Sequence, residues 1–157
     1  MDKKEALKQI KAGDLSLADV DDKLKADKEV VLEAVKQDGY ALEYADKKLQ
    51  ADKEVVLAAV KESAFALSYA DDKLKADKEV VLEAVKQDGS LEYTDESLKA
   101  DREVVLAAVE QDGYAIEFAD KSLKKDRDVV LAAVQKDGSA LEHADKSLKK
   151  DKKIVLA

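Results

Sequence analysis

Proline is absent from this chain, so no helix is broken by ring chemistry. Cysteine is absent as well, which excludes disulfides, thiolate catalysis and zinc–thiolate sites. There is no tryptophan, and aromatic residues make up only 4% of the total. Any core must therefore be built from Val, Leu and Ala. No apolar run approaches the roughly 18 residues of a membrane span, and the N-terminal MDKKEALKQIK lacks the apolar centre of a signal peptide. A soluble, cytoplasmic protein is expected. Positive charge is in the minority: the net charge is −8, which argues against a nucleic-acid backbone as partner, since that binding needs clustered cations. The one basic run, Lys146 to Lys153, is interrupted by Ser147, Leu148 and Asp151.

What is present is repetition. The stretch ADKEVVLEAVKQDG at residues 26–39 returns letter for letter at 76–89. Asp2, Asp27, Asp52, Asp77, Asp101, Asp126 and Asp151 follow one another at spacings of 25, 25, 25, 24, 25 and 25. The repeats are thus residues 2–26, 27–51, 52–76, 77–100, 101–125 and 126–150, with a partial one at 151–157. Periods in this range signal a stacked array.

Within a repeat, Asp27 precedes an apolar cluster and suits a helix N-cap, its carboxylate accepting bonds from otherwise unpaired N–H groups; the same holds for Asp52, Asp77, Asp101, Asp126 and Asp151. Val30, Val31, Leu32, Ala34 and Val35 form a wide apolar arc, which predicts burial on more than one side. EVVLEAV is rich in β-branched residues, but its apolar spacing does not alternate and its flanks are helical caps, so a helix is expected. Gly39 reads as a left-handed stop. A second, shorter helix is predicted from about Tyr40, with Ala41, Leu42, Tyr44 and Ala45 on its apolar side. Asp46 then caps a single turn that places Leu49 in the core.

One such repeat buries too little apolar surface to offset the entropy of ordering its 25 residues. Neighbours must share a core, which predicts an all-α fold: an open solenoid (α-α superhelix) of six short-helix repeats forming a single repeat domain over 1–157. In the first repeat Glu5 and Gln9 replace the equivalents of Val30 and Ala34, giving the polar face of an N-terminal cap. Residues 151–157 stop mid-helix with their apolar side chains kept, which suits a lid on the last repeat or a piece of a longer chain. Ala64 occupies the glycine stop position, where positive φ would cost about 1 kcal/mol, and the fourth repeat lacks a residue between Gly89 and Leu91. A bend or a changed rotation of the stack is expected around residues 62–95.

Repeats such as LKADKEVVLEAVKQDGYALEYAD and LKADREVVLAAVEQDGYAIEFAD resemble the bacterial repeat family catalogued as domain of unknown function 4116. The resemblance covers nearly the whole chain, with the first repeat fitting least well. It implies an all-helical tandem array with no established activity and no catalytic residues to carry over. Residues 21–39 and 71–89 are identical over 19 positions, as recent duplication or consensus-style design would produce.

The recurring Asp pairs, such as Asp21/Asp27 and Asp46/Asp52, raise the question of metal binding. Calcium needs six to eight oxygens converging on a tight loop, and no such loop motif is present; capping is the better reading. The glycines sit singly between helices and form no phosphate loop. All seven aromatics are expected at the start of the second helix: Tyr40, Tyr44, Phe65, Tyr69, Tyr93, Tyr114 and Phe118. Spaced four apart within repeats, Tyr40/Tyr44, Phe65/Tyr69 and Tyr114/Phe118 should share helical faces and build a ladder along the array. That ladder is either packing between second helices or a half-exposed stripe for a partner, and Tyr outnumbering Phe favours wet edges. His143, the single histidine, replaces an aromatic of the ladder, and no base, orienting group and nucleophile come together around it.

The expected function is a non-enzymatic scaffold without a cofactor that binds a protein or peptide, through the aromatic stripe and the variable slots Glu33, Ala58, Glu83, Ala107 and Ala132. End-to-end self-association through the C-terminal end is the alternative, followed by a consensus repeat with no evolved ligand.

Overall fold

The computed structural model describes all 157 residues. Every regular element is helical and there is no strand. The chain consists of long α-helices, short 3-10 helices and single α-turns in repeating order, packed consecutively. It forms two compact units, Met1–Glu83 and Ala84–Ala157.

The N-terminal unit runs α1 (Lys3–Ala12), η1 (Leu17–Asp19), α2 (Asp22–Lys25), α3 (Lys28–Gln37), η2 (Gly39–Tyr44), α4 (Lys47–Gln50), α5 (Lys53–Glu62), η3 (Ala64–Tyr69) and α6 (Asp72–Lys75), where η marks a 3-10 helix. Helix α7 (Lys78–Asp88) contains the unit boundary. The C-terminal unit continues with α8 (Glu96–Lys99), α9 (Arg102–Gln111), η4 (Gly113–Phe118), η5 (Leu123–Lys125), α10 (Arg127–Lys136), η6 (Gly138–His143) and α11 (Lys152–Val155).

Each long helix starts where its aspartate predicts. Asp27 Oδ1 accepts from the backbone N–H of Glu29 at 3.0 Å and of Val30 at 3.3 Å. Asp52, Asp77, Asp101 and Asp126 repeat this arrangement, and Asp151 accepts from Lys153. In α3 the buried side chains are Val30, Val31, Ala34 and Val35, while Leu32 is only half-buried. At 3.6 residues per turn those four positions cover an arc of about 140°, and Leu32 falls roughly 60° beyond its edge. The same four slots are buried in α5, α9 and α10.

Where a repeat forms a second helix it is 3-10 rather than α, as in η2, η3, η4 and η6. Within the N-terminal unit η2 lies against both α3 and α5, and within the C-terminal unit η4 lies against both α9 and α10. Leu42 and Ile116 are fully buried there. The following turn α4 buries Leu49. A backbone bond then links successive turns: Asp46 N donates to Lys25 O, Asp71 N to Gln50 O, Asp120 N to Lys99 O and Asp145 N to Lys124 O, each at 2.9 Å.

In the first repeat Glu5 is exposed and Gln9 half-buried, and Gln9 Nε2 donates to Glu5 Oε1 at 2.7 Å. The apolar contribution of α1 is Ala6 and Ile10, both buried.

The glycine expectation needs correcting. Only Gly13 (φ +75°) and Gly89 (φ +77°) are left-handed, and no other residue type has positive φ. Gly39 is not a left-handed stop, and Ala64 carries no such strain. What Gly39 provides is room: a Cβ there would lie 2.5 Å from the Ala59 carbonyl oxygen of the next long helix. A Cβ on Gly113 would collide in the same way with Ala133 O, whereas one on Gly138 meets nothing. The fourth repeat departs locally where its residue is missing. Helix α7 has 11 residues instead of 10, Gly89 turns left-handed, and residues 90–93 form no 3-10 helix, although Leu91 remains buried.

Gly113→Ala should therefore lower unfolding stability by about 1–3 kcal/mol through overpacking. Gly138→Ala should leave it unchanged or raise it by up to about 1 kcal/mol through the unfolded chain. Urea denaturation of the two variants reads the difference, and equal effects would contradict the close-approach explanation.

Candidate functional site

The expected ladder places its aromatics on the 3-10 helices and, for Tyr93, in the turn that replaces one. Tyr40, Tyr44, Phe65, Tyr114 and Phe118 are between 37% and 47% exposed, and Tyr69, Tyr93 and His143 are half-buried. In the N-terminal unit Tyr40 stacks on Phe65, its counterpart one repeat later, with ring centroids 5.4 Å apart. Phe65 meets the edge of Tyr69 at 5.7 Å. In the C-terminal unit Tyr114 meets His143 edge-on at 4.6 Å. His143 thus fills an aromatic slot. Glu142 Oε1 approaches its buried Nε2 to 3.3 Å without the alignment of a hydrogen bond.

The 3-10 geometry changes which side chains share a face. With three residues per turn, positions three apart eclipse and positions four apart diverge by about 120°. Tyr40 therefore stands over Glu43, and Tyr114 over Glu117, while rings four apart can still lean together, as Phe65 and Tyr69 do. Charge follows this placement. The Tyr69 hydroxyl is raised above its ordinary pKa by burial and then by the adjacent Glu43 carboxylate, to which it donates. Tyr114 is raised by the charge of Glu117, then by burial and by Glu142. Tyr69 and Tyr114 are thus each flanked by carboxylates.

The variable slots lie elsewhere, on the long helices. Glu33, Ala58, Glu83, Ala107 and Ala132 are half-buried, and Ala58 joins Leu32 and Leu57 in a shallow groove of about 330 Å³ edged by Lys36 and Lys61.

The recurring aspartates have a second task. While Oδ1 of Asp52 caps α5, its Oδ2 takes the Lys28 ammonium at 2.8 Å, and the same ammonium reaches Glu54 at 2.8 Å. Lys3 bridges Asp27 and Glu29, and Lys53 bridges Asp77 and Glu79. In the C-terminal unit Arg102 bridges Asp126 and Asp128, and Arg127 meets Asp151. Each cation is the first residue of a long helix, and its acceptors stand at the start of the helix that opens the following repeat, which for Arg127 is the four-residue α11. The carboxylate oxygens are taken up by N–H groups and cations, and no three His, Asp or Glu side chains gather in a way that could hold a metal ion.

The model of a domain of unknown function (DUF4116) matches residues 4–50, 52–99, 90–125 and 126–157. The chain belongs to this family. Neither a curated protein nor a solved structure matches it. In this DUF4116 array no helix is long and apolar enough to cross a membrane.

Two features escaped sequence reading. The flanking glutamates recur at Glu43, Glu92, Glu117 and Glu142, but their relation to the rings requires the 3-10 period. The cation–aspartate ladder could have been found from the spacing of 24 between Lys28 and Asp52 and between Arg127 and Asp151, because each stands at the same place in its repeat, at the start of a helix.

The carboxyls of Asp52, Asp77 and Asp126 are held below the usual range, chiefly by Lys28, Lys53 and Arg102, against the opposing effect of burial. For Asp27 burial is the largest influence and pushes upward, yet Lys3 and the N–H groups of Val30 and Glu29 together outweigh it. A depressed native pKa means that the unfolded chain binds more protons near pH 4, so stability rises with pH there. Stability should be level between about pH 5 and 9 and fall as the pH drops through about 4 toward 3. Asp52→Asn keeps a capping oxygen but loses the titrating partner of Lys28, so its acid loss should be shallower than that of the unmodified chain. Asp52→Ala also loses the cap, worth about 1 kcal/mol at neutral pH. Melting curves across that pH range test this, and an unchanged acid slope in Asp52→Asn would contradict it.

Proposed function

We propose that this chain is a non-enzymatic helical-repeat scaffold that binds a protein or peptide partner along its aromatic row. The observation that carries the reading is the combination of exposure and order. Within the N-terminal unit Tyr40, Tyr44 and Phe65, and within the C-terminal unit Tyr114 and Phe118, stay between 37% and 47% exposed, and Tyr40 and Phe65 stack at equivalent positions of successive repeats. Scattered single apolar residues on a surface need no explanation, but a contiguous apolar patch rimmed by polar groups marks an interaction site. Aromatic residues are also the side chains that most often anchor interfaces, because they bury large area with few rotatable bonds. The row is held by short helices whose buried sides are fixed between long ones, so its geometry is set before a partner arrives.

Tyr44 and Phe118 suit a test, since both are 43% exposed. The chain carrying Tyr44→Ser and Phe118→Ser should keep its melting temperature within about 2 °C, as surface changes usually do. Affinity for a captured partner should fall at least about tenfold, the loss expected on removing anchors worth more than 1 kcal/mol. Undiminished capture by the double variant would overturn the reading.

A further inference from the structure

In a chain this repetitive, the positions that depart from the repeat point to something the repeat alone does not need. Every other repeat places lysine where Gln50 stands: Lys25, Lys75, Lys99, Lys124 and Lys149. In the C-terminal unit the lysine ammonium bonds a carbonyl of the preceding 3-10 helix, Lys124 to Glu117 O and Lys149 to Glu142 O, both at 2.6 Å. Gln50 satisfies the corresponding carbonyl without a charge. Its Nε2 donates to Leu42 O at 3.0 Å and to Glu43 O at 3.1 Å. The side chain is 8% exposed, and its amide oxygen is an acceptor that the two Nε2 bonds do not use. The second departure is Ser68, which stands where Glu43, Glu92, Glu117 and Glu142 stand in the other four repeats that carry this segment. Its Oγ is buried and has no hydrogen-bond partner.

Both departures line one cavity of about 490 Å³ in the N-terminal unit, together with Glu43 and Tyr69 of the aromatic row. Three carboxylates, Glu43, Asp71 and Asp72, face two ammonium groups, Lys47 and Lys75, so the lining carries one net negative charge. Lys75 lies 3.7 Å from Asp72. The groups left over are hydrogen-bond acceptors: the Gln50 oxygen, the Ser68 hydroxyl oxygen and the free lone pairs of Glu43. Beside them stands the ring of Tyr69.

We propose that this cavity binds a guanidinium group, the side chain of an arginine. A guanidinium is planar, carries five N–H donors and no acceptor, and stays charged at any working pH. It distributes donors over several oxygens at once, where a lysine ammonium acts as a point charge, and its flat face lies well against an aromatic ring. Replacing lysine by glutamine at position 50 removes a resident cation from the place where that charge would sit. Replacing glutamate by serine at position 68 opens space without removing the Glu43 carboxylate on the facing repeat. The inference depends on the aromatic row only through Tyr69, and it assigns the row's partner a basic residue at this point.

The test uses the full chain and three small probes: N-acetyl-arginine amide, its neutral isostere N-acetyl-citrulline amide, and N-acetyl-lysine amide. Titration followed by amide NMR should give saturable shifts for arginine at the Gln50 side-chain NH2 and the backbone of Ser68 and Tyr69, with at least about tenfold weaker binding of the other two. Gln50→Lys should weaken arginine binding at least about tenfold at an unchanged melting temperature, since the repeat already accommodates lysine in this slot. Equal binding of citrulline, unsaturable shifts with arginine, or undiminished binding by Gln50→Lys would each overturn the site. Arginine binding that persists while the Tyr44 and Phe118 variant captures its partner undiminished would overturn the row alone. Partner capture that depends on the row with no arginine titration would overturn the cavity alone.

Discussion

The constraint from which the rest follows is the position of one apolar side chain per repeat. Leu42 and Ile116 are completely buried on 3-10 helices that lie between the long helix of their own repeat and that of the next. Neither long helix encloses that side chain alone. Burying it fully is worth about 2 kcal/mol, and that stabilisation exists only while both neighbours are in place. The same requirement explains the glycine that opens these helices. Gly39 lies so close to the Ala59 carbonyl that a side chain would push the two repeats apart.

Electrostatics and backbone bonding repeat this dependence on the next neighbour. An aspartate with one oxygen on its own helix and the other on the preceding repeat's lysine or arginine couples the start of a helix to its position in the stack. Exposed ion pairs contribute little by themselves, so the ladder is better understood as fixing register than as the source of stability. The backbone bond from Asp46 to Lys25 O, and its equivalents, does the same for the short turns. Apolar, ionic and backbone links all join a repeat to the one beside it, which is the energetic pattern of a one-dimensional array.

Much of the fold was legible in the sequence because its signals are local. Asp27 and its equivalents announce helix starts, the Val-Val-Leu-x-Ala-Val arc announces burial, and the Asp spacing of 25 announces the array. What remained hidden depends on groups the sequence does not display. A glycine at position 39 is compatible with a left-handed stop or with close approach, and only the distance to the Ala59 carbonyl decides. GYALEY has ordinary α-helical propensity, and its 3-10 form follows from being held between two long helices. That change of period sets Glu43 over Tyr40, a relation that α-helical spacing does not reveal, while the four-apart pair Phe65 and Tyr69 does meet. Gln50 and Ser68 were visible as departures from the repeat, but their meeting in one cavity is a property of the stacking.

The surface that results combines a neighbour-shared interior with aromatic side chains that stay partly exposed. Because the row and the core sit on opposite sides of the same short helices, its geometry depends on the neighbour-shared packing described above. Native-state hydrogen exchange on Leu42→Ala measures that sharing most directly. If the core is held jointly, amide protection should fall together in α3 and in α5, the helices on either side of the vacated space. Loss of protection confined to residues 28–44, with α5 unaffected, would show that each repeat holds its own core and would contradict the account.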